Sequence, residues 1–375
     1  MLARAMTDLE TAVARLTADL VRLDSRSSVS NLPVAERIEA ELKGFEVERL
    51  DYTDVRGVAK RALVAHRGPP GGYALSGHMD TVPPTGWQDD PFSARIDEQG
   101  FLHGLGSADM KGQVAAAILA AQAAEADTPV TLLLTTDEET TKQGASTIAE
   151  SSALARSLGL TGIAVAEPTR LAPVRGHRSH INFTIGAEGT QAHSALGTGV
   201  NANWRLIPFL AEMRALHERL RSDTSLQDPA YDPPFSDFNL ILDNHGTALN
   251  VTVARATAGI KYRYSRSIDP TPILEAVRAA AARAGLRLTE QHEGPPPELP
   301  EDHPLIRLAV QLTNQPARTV PYGTDACELQ AIAPCVILGP ESSDTIHTPH
   351  ERARIAYLAA AVPLFGRLLA AGRSA

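Results

Sequence analysis

The sequence predicts an α/β core with a mostly parallel sheet, into which a smaller α+β module is inserted. Three observations predict it. Short apolar runs at 73–77, 130–134 and 162–166 alternate with helical stretches, as strands buried on both faces do. Acidic or histidine residues follow each run, where ligands of such sheets gather beyond the carboxyl ends of the strands. From about residue 176 the order changes to strand-helix-strand-strand-helix-strand, a ferredoxin-like module. The proline-rich return Glu293-Gly-Pro-Pro-Pro-Glu-Leu-Pro closes it. The expected division is 1–175 and 291–375 for the two parts of the core and 176–290 for the insert.

The elements follow in order. Leu9, Val13, Leu16, Leu20 and Leu23 recur at helical spacing, so 7–23 is a helix. Asn31-Leu-Pro opens a second, running to Leu42. Strands are expected at 45–50, 61–66 and 73–77, the last delivering His78-Met-Asp80 to its end. An alanine-rich helix over 112–126 precedes the strand at 130–134, and Asp137-Glu-Glu139 comes next. The strand at 162–166 ends on Glu167. In the insert, strands are read at 181–187, 238–242, 251–258 and 259–264, with helices at 203–220 and 272–284.

A chain of 375 residues fits two domains. Its 43% apolar and 21% charged residues are those of a globular protein, and a net charge of -9 argues against a nucleic-acid partner. Two cysteines, Cys327 and Cys335, make no disulfide framework and fit a cytoplasmic setting. No run approaches the roughly 18 apolar residues of a membrane span. The N-terminal helix carries Asp8, Glu10 and Asp19, unlike a signal peptide.

Five segments each place a carboxylate or imidazole after an apolar run: Gly77-His78-Met-Asp80, Ser107-Ala-Asp109-Met-Lys-Gly112, Thr136-Asp-Glu138-Glu139-Thr, Ala166-Glu167-Pro-Thr and Ile346-His347-Thr-Pro. Taken singly, each is an ordinary turn or helix start; a carboxylate pair after a strand commonly serves a helix dipole. Taken together, they make a nitrogen-oxygen donor set without thiolates, which suits catalytic zinc. In that layout His78 and Glu167 hold one metal, Glu139 and His347 the other, and Asp109 bridges. Asp80 orients the His78 imidazole, and Glu138 is placed to move a proton from water to a leaving amine. Gly104-Leu-Gly-Ser lacks the arrangement of a phosphate-binding loop.

The combination resembles the family of dizinc hydrolases that holds aminoacylases, acetylornithine deacetylases and succinyl-diaminopimelate desuccinylases. The resemblance runs from His78 to His347. It implies a metal-binding catalytic domain, a dimerisation domain, two Zn2+ per subunit (Co2+ as a substitute) and a homodimer acting on a small N-acyl amino acid. It assigns the metal ligands to His78, Asp109, Glu139, Glu167 and His347, the general base to Glu138 and the supporting aspartate to Asp80. In the insert, Gly189-Thr-Gln-Ala-His193-Ser resembles the segment whose histidine serves a partner's active site. Gly246-Thr-Ala-Leu-Asn250-Val resembles one that supplies an asparagine near substrate. Tyr262-Arg263-Tyr looks like the strand whose arginine grips a substrate carboxylate; Arg266 is the other candidate, and strand alternation leaves the choice open. Gly323 and Thr324, in Tyr322-Gly-Thr-Asp-Ala, are expected at the substrate-end pocket.

Within that family the segments His103-Gly-Leu-Gly-Ser-Ala-Asp-Met-Lys-Gly, Asp137-Glu-Glu-Thr with Gly144-Ala, and Glu167-Pro-Thr-Arg-Leu-Ala-Pro-Val-Arg are most similar to the acetylornithine deacetylase branch. Three places depart from the pattern. Gly197-Thr-Gly stands where a proline is usual, His350 replaces a common aspartate, and the arginine strand lacks its aspartate. These lie toward the substrate, so other acyl-amino acids (succinyl-diaminopimelate, acetylcitrulline) and a dipeptidase or carboxypeptidase activity stay open. A non-catalytic relative used for binding would have lost a ligand or Glu138; all are filled.

Overall fold

The computed structural model describes residues 6–374 and divides into two compact units. The first comprises Met1–Gly176, Pro297–Arg318 and Thr324–Ala375; the second comprises His177–Pro296 with Thr319–Gly323. The insert thus begins at 177 rather than 176 and runs past 290 into the proline-rich return. It also reclaims the short stretch that contains Gly323.

The first unit carries most of an eight-stranded sheet. Its strands lie in the spatial order Glu46–Thr53, Ala59–Arg67, Val130–Thr135, Tyr73–His78, Gly162–Val165, Cys335–Ile337, Val174–His177 and Arg318–Val320. The central four pair parallel with their neighbours among themselves. Glu46–Thr53 and Ala59–Arg67 are antiparallel additions, and Val174–His177 joins antiparallel to Cys335–Ile337. The expectation of a mostly parallel sheet therefore holds for the centre, and the sheet as a whole is mixed. Apolar continuity marks strands buried on both faces, but it says nothing of the direction of their neighbours.

Side-chain alternation fills both faces. Leu132 and Leu134 join Leu75 in the core shared with the helices Asp8–Val21, Lys111–Ala123 and Ile355–Ala371. Leu133 between them is equally buried outside that cluster. Thr7 and Glu10 form a capping box at the start of the first helix, satisfying two otherwise unpaired N–H groups. Lys111–Ala123 is buried almost all round, so alanine is the side chain that fits. A Cβ on Gly112 would stand 2.4 Å from the carbonyl oxygen of Ser107, so this helix start requires glycine.

The second unit holds a four-stranded antiparallel sheet in the order Asp237–Asp243, Arg255–Tyr264, Ser179–Glu188, Arg287–His292. The helices Asn203–Ser222 and Thr271–Arg283 complete the strand-helix-strand-strand-helix-strand order. Ile181, Phe183 and Ile185 alternate into its core with Ala258, Ile260 and Tyr262. One expectation fails: 251–258 and 259–264 are not two strands. Arg255–Tyr264 is continuous through Gly259, and Val251 makes only an isolated bridge to His193. Gly259 is not a break. A Cβ there would meet Ile241 of the neighbouring strand at 2.8 Å, so the glycine admits a cross-strand neighbour.

Candidate active site

Sheet register brings the predicted residues of the first unit level with one another. Ser76 pairs with Val165, so His78 and Glu167, each two residues further, emerge together at adjacent strand ends. His78 also pairs with Thr135, which sets the Asp137-Glu138-Glu139 loop against it. Asp109 arrives from the turn before the alanine-rich helix. Gly144 seats the opposite helix, since a Cβ there would lie 2.4 Å from the carbonyl oxygen of Thr136.

Asp109 is the centre of the arrangement. One carboxylate oxygen lies 3.1 Å from Nε2 of His78, and the other 3.3 Å from Nε2 of His347. His78 Nε2 is 3.8 Å from Glu167, and His347 Nε2 is 3.0 Å from Glu139. Donor atoms of His78, Asp109 and Glu139 lie mutually within 4.8 Å, as do those of His78, Glu138 and Glu167. His78, Asp109, Glu138 and Glu167 are buried, while His347 is half exposed.

The electrostatics follow from four acids gathered where water is scarce. Burial and the neighbouring Asp109 push the Glu139 carboxyl up to about 7, and burial with the same neighbour raises Glu167 well above the ordinary range. Burial would lower His78, but its hydrogen bonds to Asp109 and Asp80 prevail and raise it. The bonds of His347 to Asp109 and Glu139 raise that imidazole to about 11. Asp109, despite burial, is held below its usual value by those two histidines. Such a cluster invites cations. The donor set, imidazole nitrogens and carboxylate oxygens without thiolate, fits one or two divalent ions of the zinc type.

Asp80 lies beneath. Its carboxylate accepts a hydrogen bond from the Ser27 hydroxyl at 2.7 Å and from the backbone N–H groups of Glu138 and Glu139 at 3.2 and 3.4 Å. Its Oδ1 is 3.5 Å from Nδ1 of His78, while the Asp80 carbonyl is 3.0 Å from that nitrogen. Sequence reasoning missed four neighbours. Lys142 Nζ lies 3.2 Å from Glu138; its only signal was the four-residue spacing. Glu351 accepts the backbone N–H groups of Ala108 and Asp109 at 3.0 Å each, and Ser27 holds Asp80; neither had a sequence signal. Asp325, visible in Gly-Thr-Asp but not singled out, is fully buried and accepts the Thr135 hydroxyl. Burial and the nearby Glu138 push its carboxyl up to about 8.

The remaining predicted residues divide between the units. Thr324 is buried in the first, beside Asp325. In the second, His193 and Asn250 are brought together: His193 bridges to Val251, and the Ser194 N–H donates to the Asn250 carbonyl at 3.0 Å. Both side chains are exposed. Arg263 lines a cavity of about 290 Å³ with Arg178, Phe235 and Tyr322, whereas Arg266 is exposed in the turn after the strand. Gly323 packs against the Arg178 carbonyl and the Glu293 carboxylate.

Residues 74–371 match the model of the peptidase family M20/M25/M40. The chain belongs to this family. The acetylornithine deacetylase of Proteus mirabilis (strain HI4320) is 32% identical over 371 residues, spanning 94% of this chain and 93% of that one. The di-peptidase Dug1p from Saccharomyces cerevisiae shares the fold at a TM-score of 0.76 and 14% identity, with both chains covered in full. The Bacillus subtilis YXEP protein, a dinuclear metal binding peptidase from the M20 family, superposes at 0.61 with 18% identity over 96% of this chain and 97% of its own. This M20/M25/M40 member is an enzyme that hydrolyses amides. Among its described residues no helix is long and apolar enough to cross a membrane.

Proposed function

We propose that the enzyme deacylates an N-acyl amino acid, with N-acetylornithine, giving ornithine and acetate for arginine biosynthesis, as the leading substrate. The observation that carries the chemistry is Asp109, whose two oxygens each face a different histidine beside Glu138. Identity of 32% with an acetylornithine deacetylase over nearly the whole length supports the choice of substrate.

In this reading His78 with Glu167, and Glu139 with His347, would hold two Zn2+ ions (or Co2+), and Asp109 would contribute its carboxylate to the donor set. When bound, the ions polarise the amide carbonyl and lower the pKa of a water molecule to roughly 7. Glu138 accepts a proton from the attacking water and delivers it to the amide nitrogen as the bond to the acyl carbon breaks. Asp80 fixes the His78 ring and the backbone of the Glu138 loop. His193, supplied to a partner's site, donates to the oxyanion; Asn250, Gly323 and Thr324 contact substrate, and Arg263 grips its carboxylate through a bidentate fork. Arg263 is preferred to Arg266 because it lines a cavity. Homodimerisation is supported by exposed Leu240, Ile241 and Leu242 on the edge strand Asp237–Asp243, and by exposed Trp204 and Ile207 on Asn203–Ser222.

The test is amine release from acetylornithine, acetylcitrulline, succinyl-diaminopimelate, an acetylated apolar amino acid and a dipeptide, with added zinc or cobalt. Preference for acetylornithine, abolished by a chelator, is expected. Preference for another member replaces the substrate, and activity that survives the chelator removes the metal reading.

A further inference from the structure

A second cavity, of about 610 Å³, lies in the first unit and is lined by none of the candidate metal ligands. Its size is within the range of small-molecule sites. Arg352–Arg354 is a short strand paired antiparallel with Phe101–His103. Alternation buries Ala353 and turns both arginines to one side, where their guanidinium carbons lie 4.3 and 4.4 Å from the centre of the Phe101 ring. Two cations are thus held on one ring, and no ion pair to a carboxylate is formed by either among the described residues.

The three arginines on the wall, Arg170, Arg352 and Arg354, outnumber its two acids, Glu341 and Asp344. Asp344 is engaged by Arg170. Glu341 accepts the backbone N–H of Arg354 at 2.8 Å; burial pushes its carboxyl up to about 7 against the pull of that hydrogen bond and of the Arg354 charge, and Arg352 faces no wall acid in an ion pair. Apolar surface from Phe101, Leu171 and Tyr357 completes the lining.

We propose that this cavity binds a small molecule carrying a doubly charged oxyanion next to an apolar or aromatic group, with Arg352 and Arg354 as its cationic partners. The wall joins the active-site segments at two points. Thr345 lies two residues before His347. Arg170, three residues after Glu167, donates its N–H to the Glu341 carbonyl at 2.7 Å. Occupancy therefore bears on the backbone that positions both residues, and ligand binding changes turnover.

The experiment is calorimetric titration of the metal-loaded enzyme with phenyl phosphate and, separately, phthalate, at fixed ionic strength. Saturable binding of at least one is expected, weakened about tenfold or more in R352Q/R354Q. That variant keeps its turnover without ligand and loses the response to ligand. Phenyl phosphate alone assigns a phosphate ester, phthalate alone a dicarboxylate, and both a site for either. Ala360→Glu, which adds a carboxylate at the exposed rim and leaves both arginines in place, weakens binding as well and serves if the double variant does not fold. Absence of saturable binding by either probe, or equal affinity in wild type and both variants, overturns the proposal.

Discussion

Oδ1 of Asp80 accepts the backbone N–H of Glu138 at 3.2 Å while lying 3.5 Å from Nδ1 of His78. One buried carboxylate thereby ties a candidate ligand to the loop of the candidate base. Asp80→Ala is expected to lower metal affinity or kcat by about 10- to 100-fold, the usual cost of losing a partner that orients a metal-held histidine. Metal content and steady-state kinetics measure it; wild-type values for both would show that Asp80 only fills space.

Glu138→Gln removes a proton acceptor and keeps the volume. Turnover is expected to fall by about 10²- to 10⁴-fold. Metal content by elemental analysis stays at the wild-type level if Glu138 moves protons. Loss of metal would make it a ligand instead, the role suggested by its closeness to His78 and Glu167.

Lys60 is fully buried, 2.9 Å from Asp137, and donates to the carbonyls of Ser27 and Val29. Lys60→Ala leaves the Asp137 carboxylate and two carbonyls without their cation, at a cost of about 3–5 kcal/mol. Urea unfolding should show a lower midpoint with an unchanged slope. A loss under about 1 kcal/mol, the scale of surface pairs, would mean that water replaces the ammonium.

The exposed apolar edge strand predicts its own test. Ile241→Asp should shift sedimentation from dimer to monomer and lower turnover with it. His193→Ala should leave the dimer and the metal intact but reduce kcat by about 10²-fold or more, the effect of one lost oxyanion donor. A fully active Ile241→Asp monomer would detach His193 from any cross-subunit role.

Much of the candidate site was legible because sheets of this kind carry ligands at strand ends. Apolar runs located the ends, and His78, Asp109, Glu139, Glu167 and His347 stand beside or beyond them. Three of the four parallel central strands, those near 73–77, 130–134 and 162–166, were legible for the same reason, while Cys335–Ile337 was not read as a strand. Gly259 misled because a glycine inside a strand pattern reads equally as a break or as a close approach, and only the position of Ile241 distinguishes the two.

By itself the sequence determined the α/β core with an inserted α+β module and offered a candidate donor set with Glu138 beside Glu139, since these depend on residue type and local period. Only the tertiary structure decided that Ser27, Lys142, Asp325 and Glu351 surround the cluster, and that Arg352 and Arg354 share one ring. The reason is distance along the chain. The Glu351 carboxylate meets the Asp109 backbone across 242 residues, and no local pattern records a contact that the packing of separate strands and helices creates.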